Sequence, residues 1–135
     1  MVNKAKVRQG EDVLINAAGS GVGSAAIQVA HLSGARIIAT AGSDEKLERA
    51  RALGADEVIN YGGYDLKDRD QIKLFRNDIG KTTGGNGPDV IYDPVGGDFT
   101  EPALRSIAWA GRFLVIGFAA GNIPKIPLNL YLVKG

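Results

Sequence analysis

The feature that most constrains this chain is an alternation. Five short apolar runs each end in a turn of small residues, and a segment with helical spacing separates each run from the next. The runs read as strands over Val13–Asn16, Ala35–Thr40, Asp56–Asn60, Val90–Tyr92 and Arg112–Gly117. The intervening helices are expected over Ser24–Leu32 (starting near Gly21), from a Ser43 or Asp44 cap to Leu53, over Asp65–Asp78 and over Phe99–Trp109. A helix between successive strands carries the chain back to the same end of the sheet, so the strands run parallel and both faces are covered. Right-handed crossovers then predict a doubly wound α/β fold with strand order 3-2-1-4-5. At 135 residues the chain has enough for one such domain, residues 1–135, and no internal repeat divides it.

Folds of this kind bind ligands outside the carboxyl ends of the strands, at the switch point between strands one and four. The turns predicted there are Ala17–Gly23, Thr40–Ser43, Tyr61, Asp93–Gly97 and Gly117–Gly121, nearly all built of small residues. The first lies within Val13–Ala30, VLINAAGSGVGSAAIQVA, a strand, a glycine-rich turn and a helix in that order. Glycines let a phosphate approach the backbone, and the N–H groups at the helix start favour negative charge. The glycine pattern is irregular. Ala18, Ser20 and Gly23 occupy its three positions, with Gly19 and Gly21 displaced between them, and an ordinary tight strand-to-helix turn reads the same way.

The second turn discriminates between nucleotides. A carboxylate at the end of strand two would accept hydrogen bonds from an NAD ribose, whereas this chain has Ala41, Gly42 and Ser43, with Lys46 shortly after. A hydroxyl and an ammonium favour a 2′-phosphate. Lys46 reads equally well as a solvated helix residue, and Asp44 and Glu45 are expected to lie along the helix start, where negative charge is favoured.

Other chemistries find little support. Gly80-Lys81-Thr82 looks like the end of a phosphate loop, but Phe75 stands where the upstream glycine belongs and the segment precedes a strand. His31 is the single histidine and there is no cysteine, which leaves neither a metal site nor a Cys/His pair. Asp93 fits an Asp-Pro turn as well as a polarising role, and Phe99 and Trp109 read as packing. A net charge of +1 carries no footprint for nucleic acid or an anionic membrane. Without an apolar leader or a run of spanning length, a cytoplasmic setting is the expectation.

The segments AAGSGVGSAAIQVA, GARIIATAGSDEKLERARALGADEVINY, DVIYDPVGGDFTEPALRSIAWAGRFLVIGFAAG and IPKIPLNLYLVKG together resemble the medium-chain dehydrogenase/reductase superfamily, and within it the zinc-free NADPH:quinone oxidoreductases. The resemblance runs from about Val7 to Gly135 and implies a Rossmann-type domain that binds NADPH. By position it implies that Ser20, Gly21, Val22 and Gly23 lie along the pyrophosphate. It implies that Gly42, Ser43, Lys46 and Tyr61 surround the 2′-phosphate, and that Asp93, Val95, Gly96, Gly117, Phe118 and Ala119 border the nicotinamide and its ribose. Ser20 departs from the family's middle glycine.

The family places a GroES-like catalytic domain beside this one, with the substrate pocket between them. The expectation is therefore a cofactor domain lacking that partner and a sixth strand, with strand five as an edge open to a second copy. Its parent would pass hydride from NADPH to a quinone-like small molecule or another activated carbonyl or alkene. A stand-alone NADPH-binding or redox-sensing module, and the cofactor domain of an enoyl reductase or zinc-dependent alcohol dehydrogenase, are the alternatives.

Overall fold

A computed structural model of the chain describes residues 8–16, 21–93, 97–108 and 111–115. Its strands are β1 (Asp12–Asn16), β2 (Arg36–Ala41), β3 (Glu57–Asn60), β4 (Val90–Asp93) and β5 (Arg112–Val115). The helices are α1 (Gly21–Leu32), α2 (Asp44–Leu53), α3 (Arg69–Thr82) and α4 (Thr100–Ser106), the last preceded by a 3-10 turn at Gly97–Phe99. All strand pairs are parallel and the order is β3-β2-β1-β4-β5, as the alternation predicts. The switch point lies between β1 and β4.

Alternate side chains of each strand sort the core into two layers. Val13, Ile15, Ile37, Ala39 and Val90 face α1 and α2, meeting Ala26, Ile27, Ala30, Leu47 and Ala50. Leu14, Ile38, Ile59 and Ile91 face α3 and α4, meeting Phe75, Ile79, Phe99, Ala103 and Leu104. Leu14, Ile38 and Ile91 are fully buried, worth ~2 kcal/mol each in area removed from water. Small residues on α1 bring it close to the sheet, while the other face is filled by aromatic rings.

Several boundaries differ from those expected. The third helix starts at Arg69, four residues late, because Asp65 accepts from the Lys67 N–H at 3.0 Å and Asp68 is the true N-cap, accepting from Asp70 at 2.9 Å. It then runs on through Gly80-Lys81-Thr82, and Leu74 on it is exposed. The fourth helix ends at Ser106, since the Ala108 N–H donates to the Pro88 carbonyl at 2.8 Å and Ile107 turns extended. Asp93 is the last residue of β4, paired with Val115, rather than the start of a turn. Trp109 and the tail beyond Val115 lie outside the described residues.

Candidate functional site at the carboxyl ends of the strands

The first turn is described only from its helical side. Ser20, with Ala17 to Gly19, lies outside the described residues, and α1 begins at Gly21 and runs through Val22. Its first turn holds no acidic side chain and Gly23 is buried, so nothing in that turn opposes an anion at the helix start. Val95, Gly96, Gly117, Phe118 and Ala119 also lie outside the described residues.

The second turn is complete. The Ser43 hydroxyl oxygen caps α2, accepting from the Lys46 N–H at 3.5 Å. That hydroxyl keeps its own hydrogen to donate elsewhere. The two acids at the start of α2 are both engaged: Asn60 donates to Asp44 at 2.8 Å, and Arg49 to Glu45 at 3.0 Å. Lys46 is exposed and makes no ion pair among the described residues. A Cβ on Gly42 would meet nothing within 4 Å, and its backbone is not left-handed, so packing does not demand glycine there. A ligand lying against that turn would. Open glycine, donor hydroxyl and unpaired ammonium together fit a phosphate.

One pleat beyond the apolar row of Leu14, Ile38 and Ile91, the same sheet face turns polar. Asn16, Thr40 and Asp93 stand there, fully buried. Thr40 Oγ1 donates to Asn16 Oδ1 at 3.1 Å, and Asn16 Nδ2 donates to Asp93 Oδ1 at 3.4 Å. Thr100, also fully buried, donates to Asp93 Oδ2 at 2.8 Å. Tyr61, one residue past β3, reaches back across β2, and its hydroxyl donates to Asn16 Oδ1 at 3.0 Å. Burial pushes the Tyr61 phenol above its ordinary value, and the charge on Asp93 pushes it further, which keeps this donor protonated.

The structure thus brings Ser43, Lys46 and Gly42 together at one turn and sets the Tyr61 hydroxyl inward on Asn16. It places Asp93 at the end of β4 as a buried acceptor. Asn16, Thr40, Asn60 and Thr100 escaped the sequence reading. The signal was present for the first two: in VLIN and RIIAT a polar residue follows in phase with the inward apolar residue two places before it.

A zinc-binding dehydrogenase family profile matches residues 21–135. Quinone oxidoreductase-like protein 2 of Rattus norvegicus is 43% identical over 98% of this chain and 35% of its own length. A mycobacterial protein solved in complex with NADPH is 31% identical with a TM-score of 0.83, over 96% of this chain and 37% of that one. An NAD-dependent alcohol dehydrogenase is 41% identical with a TM-score of 0.78, over 98% of this chain and 36% of that one. The chain spans about a third of the length of the curated relatives it matches. Zinc does not fit the residues present: cysteine is absent, His31 is exposed, and among the described residues no three His, Cys, Asp or Glu side chains gather to hold an ion.

Proposed function

The chain belongs to the zinc-binding dehydrogenase family of medium-chain dehydrogenases and reductases, and from that premise we propose that it binds NADPH and serves hydride transfer to a quinone or another activated carbonyl or alkene. The observation that carries the choice of NADPH is the turn after β2. Ser43 and Lys46 offer a hydroxyl and an ammonium there, and the neighbouring acids are held by Asn60 and Arg49.

NADPH supplies the hydride, so this chain's side chains need act as neither acid nor base. Their work is to bind and orient. Ser20 to Gly23, with the start of α1, would hold the pyrophosphate; Gly42, Ser43 and Lys46 would hold the 2′-phosphate, with the Tyr61 ring beside them. Asp93 would fix the turn that carries Val95 and Gly96, and that turn, with Gly117, Phe118 and Ala119, would border the nicotinamide. The catalytic pocket is completed, in this reading, by parts of a longer protein.

Titration calorimetry with the two coenzymes tests this. NADPH is expected to bind at least ~10-fold more tightly than NADH, a difference of about 1.4 kcal/mol. Lys46→Ala should remove most of that gap while leaving NADH affinity unchanged. Equal affinities in the wild-type chain would overturn the 2′-phosphate assignment.

A further inference from the structure

The strands are already held by their backbone ladders, so the polar row at their ends is not needed to pair them. What it joins are the ends of β3 and β4, three strand spacings apart, roughly 14 Å at the usual strand spacing. At one end stands Tyr61, one residue past β3; at the other stands Asp93, the last residue of β4. Two routes link them. The polar route passes from the Tyr61 hydroxyl to Asn16 (3.0 Å), from Asn16 to Asp93 (3.4 Å), and meets Thr100 on the far carboxylate oxygen (2.8 Å). The aromatic route sets the Tyr61 ring 5.8 Å from Phe99, the residue before Thr100, with Phe75 at 5.7 Å from Tyr61 and 5.8 Å from Phe99.

The polar route has a fixed sense. Asn16 Oδ1 takes hydrogens from both Thr40 and Tyr61, while its Nδ2 gives one to Asp93. Turning the amide over would set its oxygen against a carboxylate oxygen in a fully buried place, which costs more than a lost hydrogen bond. The Asn16 amide thus faces Tyr61 with its oxygen and Asp93 with its nitrogen, and a change at Asp93 reaches Tyr61 through that amide.

We propose that Asn16 is a positioning residue that couples the two halves of the nucleotide site. The hydrogen bonding of Asp93, at the end of β4, sets how well the turns after β2 and β3 hold the 2′-phosphate side. The proposal rests on the NADPH reading, and it adds a link that this reading does not require. Asn16 is wholly buried, so its part is to hold Tyr61 and Asp93 in register rather than to touch the coenzyme. Because coupling is reciprocal, the same factor must appear whichever half is probed.

The test uses 2′,5′-ADP, which has the adenosine 2′-phosphate and no nicotinamide. Thr100→Val deletes the donor to Asp93 on the nicotinamide side at nearly constant volume. It is expected to weaken 2′,5′-ADP binding about 3- to 10-fold, with Thr100→Ser restoring it. Tyr61→Phe should weaken it similarly, and the double variant by less than the product of the two, since both act through Asn16. Thr83→Val, a buried threonine at the opposite edge, is the control: it should lower thermal stability without moving that affinity.

Wild-type 2′,5′-ADP affinity in Thr100→Val, or an equal loss in Thr83→Val, overturns the coupling alone. Failure of the wild-type chain to bind 2′,5′-ADP overturns the NADPH reading and the coupling with it. Should Thr100→Val not fold, Tyr61→Phe titrated with reduced nicotinamide mononucleotide runs the test in reverse. The expected loss is again about 3- to 10-fold, and unchanged affinity overturns the coupling.

Discussion

The two edges of the sheet are both polar, and they are polar in different ways. At the carboxyl edge Asn16, Thr40, Asp93 and Thr100 are fully buried and joined by hydrogen bonds that run to one carboxylate. At the amino edge the groups are ion pairs only partly covered from water. Arg112 grips Glu11 through two bonds of 2.7 and 3.0 Å, and Arg36 meets Asp12 at 3.3 Å and Glu57 at 3.5 Å while donating to the Thr82 carbonyl. A groove of about 340 Å³ opens at this edge, near Arg76 and Arg105. Arg105 is taken by Glu101, and Arg76 donates to the Arg105 carbonyl, so those cations serve the fold. The half-exposed clasp can lose a member to solvent at small cost. The buried row cannot, because its groups have no water to turn to. An edge that is expensive to disturb and lies at the switch point is the one that positions a ligand.

The largest expected effect comes from removing the carboxylate on which the buried row converges. Asp93→Ala leaves Asn16 Nδ2 and Thr100 Oγ1 without that acceptor, an expected loss of about 3 kcal/mol by urea unfolding. NADPH binding should fall more than ~10-fold as Asn16 and Thr100 lose their common acceptor at the switch point. Arg36→Ala at the other edge should cost about 1 kcal/mol and leave NADPH affinity unchanged. If the two variants proved equally destabilising, the distinction between the edges would not hold.

Two glycines give a matched comparison of smaller size. A Cβ on Gly62 would stand 2.2 Å from the Gly42 carbonyl oxygen, and a Cβ on Gly87 would stand 2.0 Å from the Ser106 carbonyl oxygen, with a φ of +81° adding strain. Alanine at either site forces backbone to move, and each variant should lose about 2 kcal/mol. Gly62→Ala pushes on the turn that carries Gly42 and Ser43, so NADPH affinity should drop several-fold. Gly87→Ala disturbs only the amino edge, and the folded protein should bind NADPH as before. Melting temperatures and calorimetric titrations separate the two, and a binding loss in Gly87→Ala would merge edges that are held here to be distinct.

The fold was legible because strand order follows from the alternation and right-handed crossovers of a doubly wound sheet, which need no knowledge of which side chains meet. Helix ends were less so. Asp65 looked like the first acid of a helix, but its carboxylate closes a local turn on Lys67, and Asp68 does the capping. The early end of α4 depends on a backbone bond from Ala108 to Pro88, which no local pattern contains. Ser43 and Lys46 could be placed because the end of β2 and the start of α2 fix them. The inward turn of the Tyr61 hydroxyl could not, since its partner Asn16 lies 45 residues earlier. Asn16 itself was passed over as the polar end of a strand. A buried acceptor set is a property of several strands at once, and only their register reveals it.

The smallest effect bears on the amino edge and depends on pH. The hydrogen bond from Arg112 holds the Glu11 carboxyl below its ordinary value near 4.5, against the opposing pull of partial burial. A carboxyl whose folded value is depressed releases its proton more readily in the folded state. The stability it contributes is therefore full above about pH 4.5 and disappears as pH falls through the folded value. Glu11→Gln should lower stability by ~0.5–1 kcal/mol at pH 7, in line with exposed ion pairs, and less in high salt. The gap between wild type and variant should close on acidification below pH 4.5. NADPH affinity at pH 7 should be the same in both, since the clasp lies at the far ends of the strands from the nucleotide turns. A Glu11→Gln variant that kept its stability deficit at acid pH would show that the clasp acts through packing of the Glu11 chain rather than through its charge.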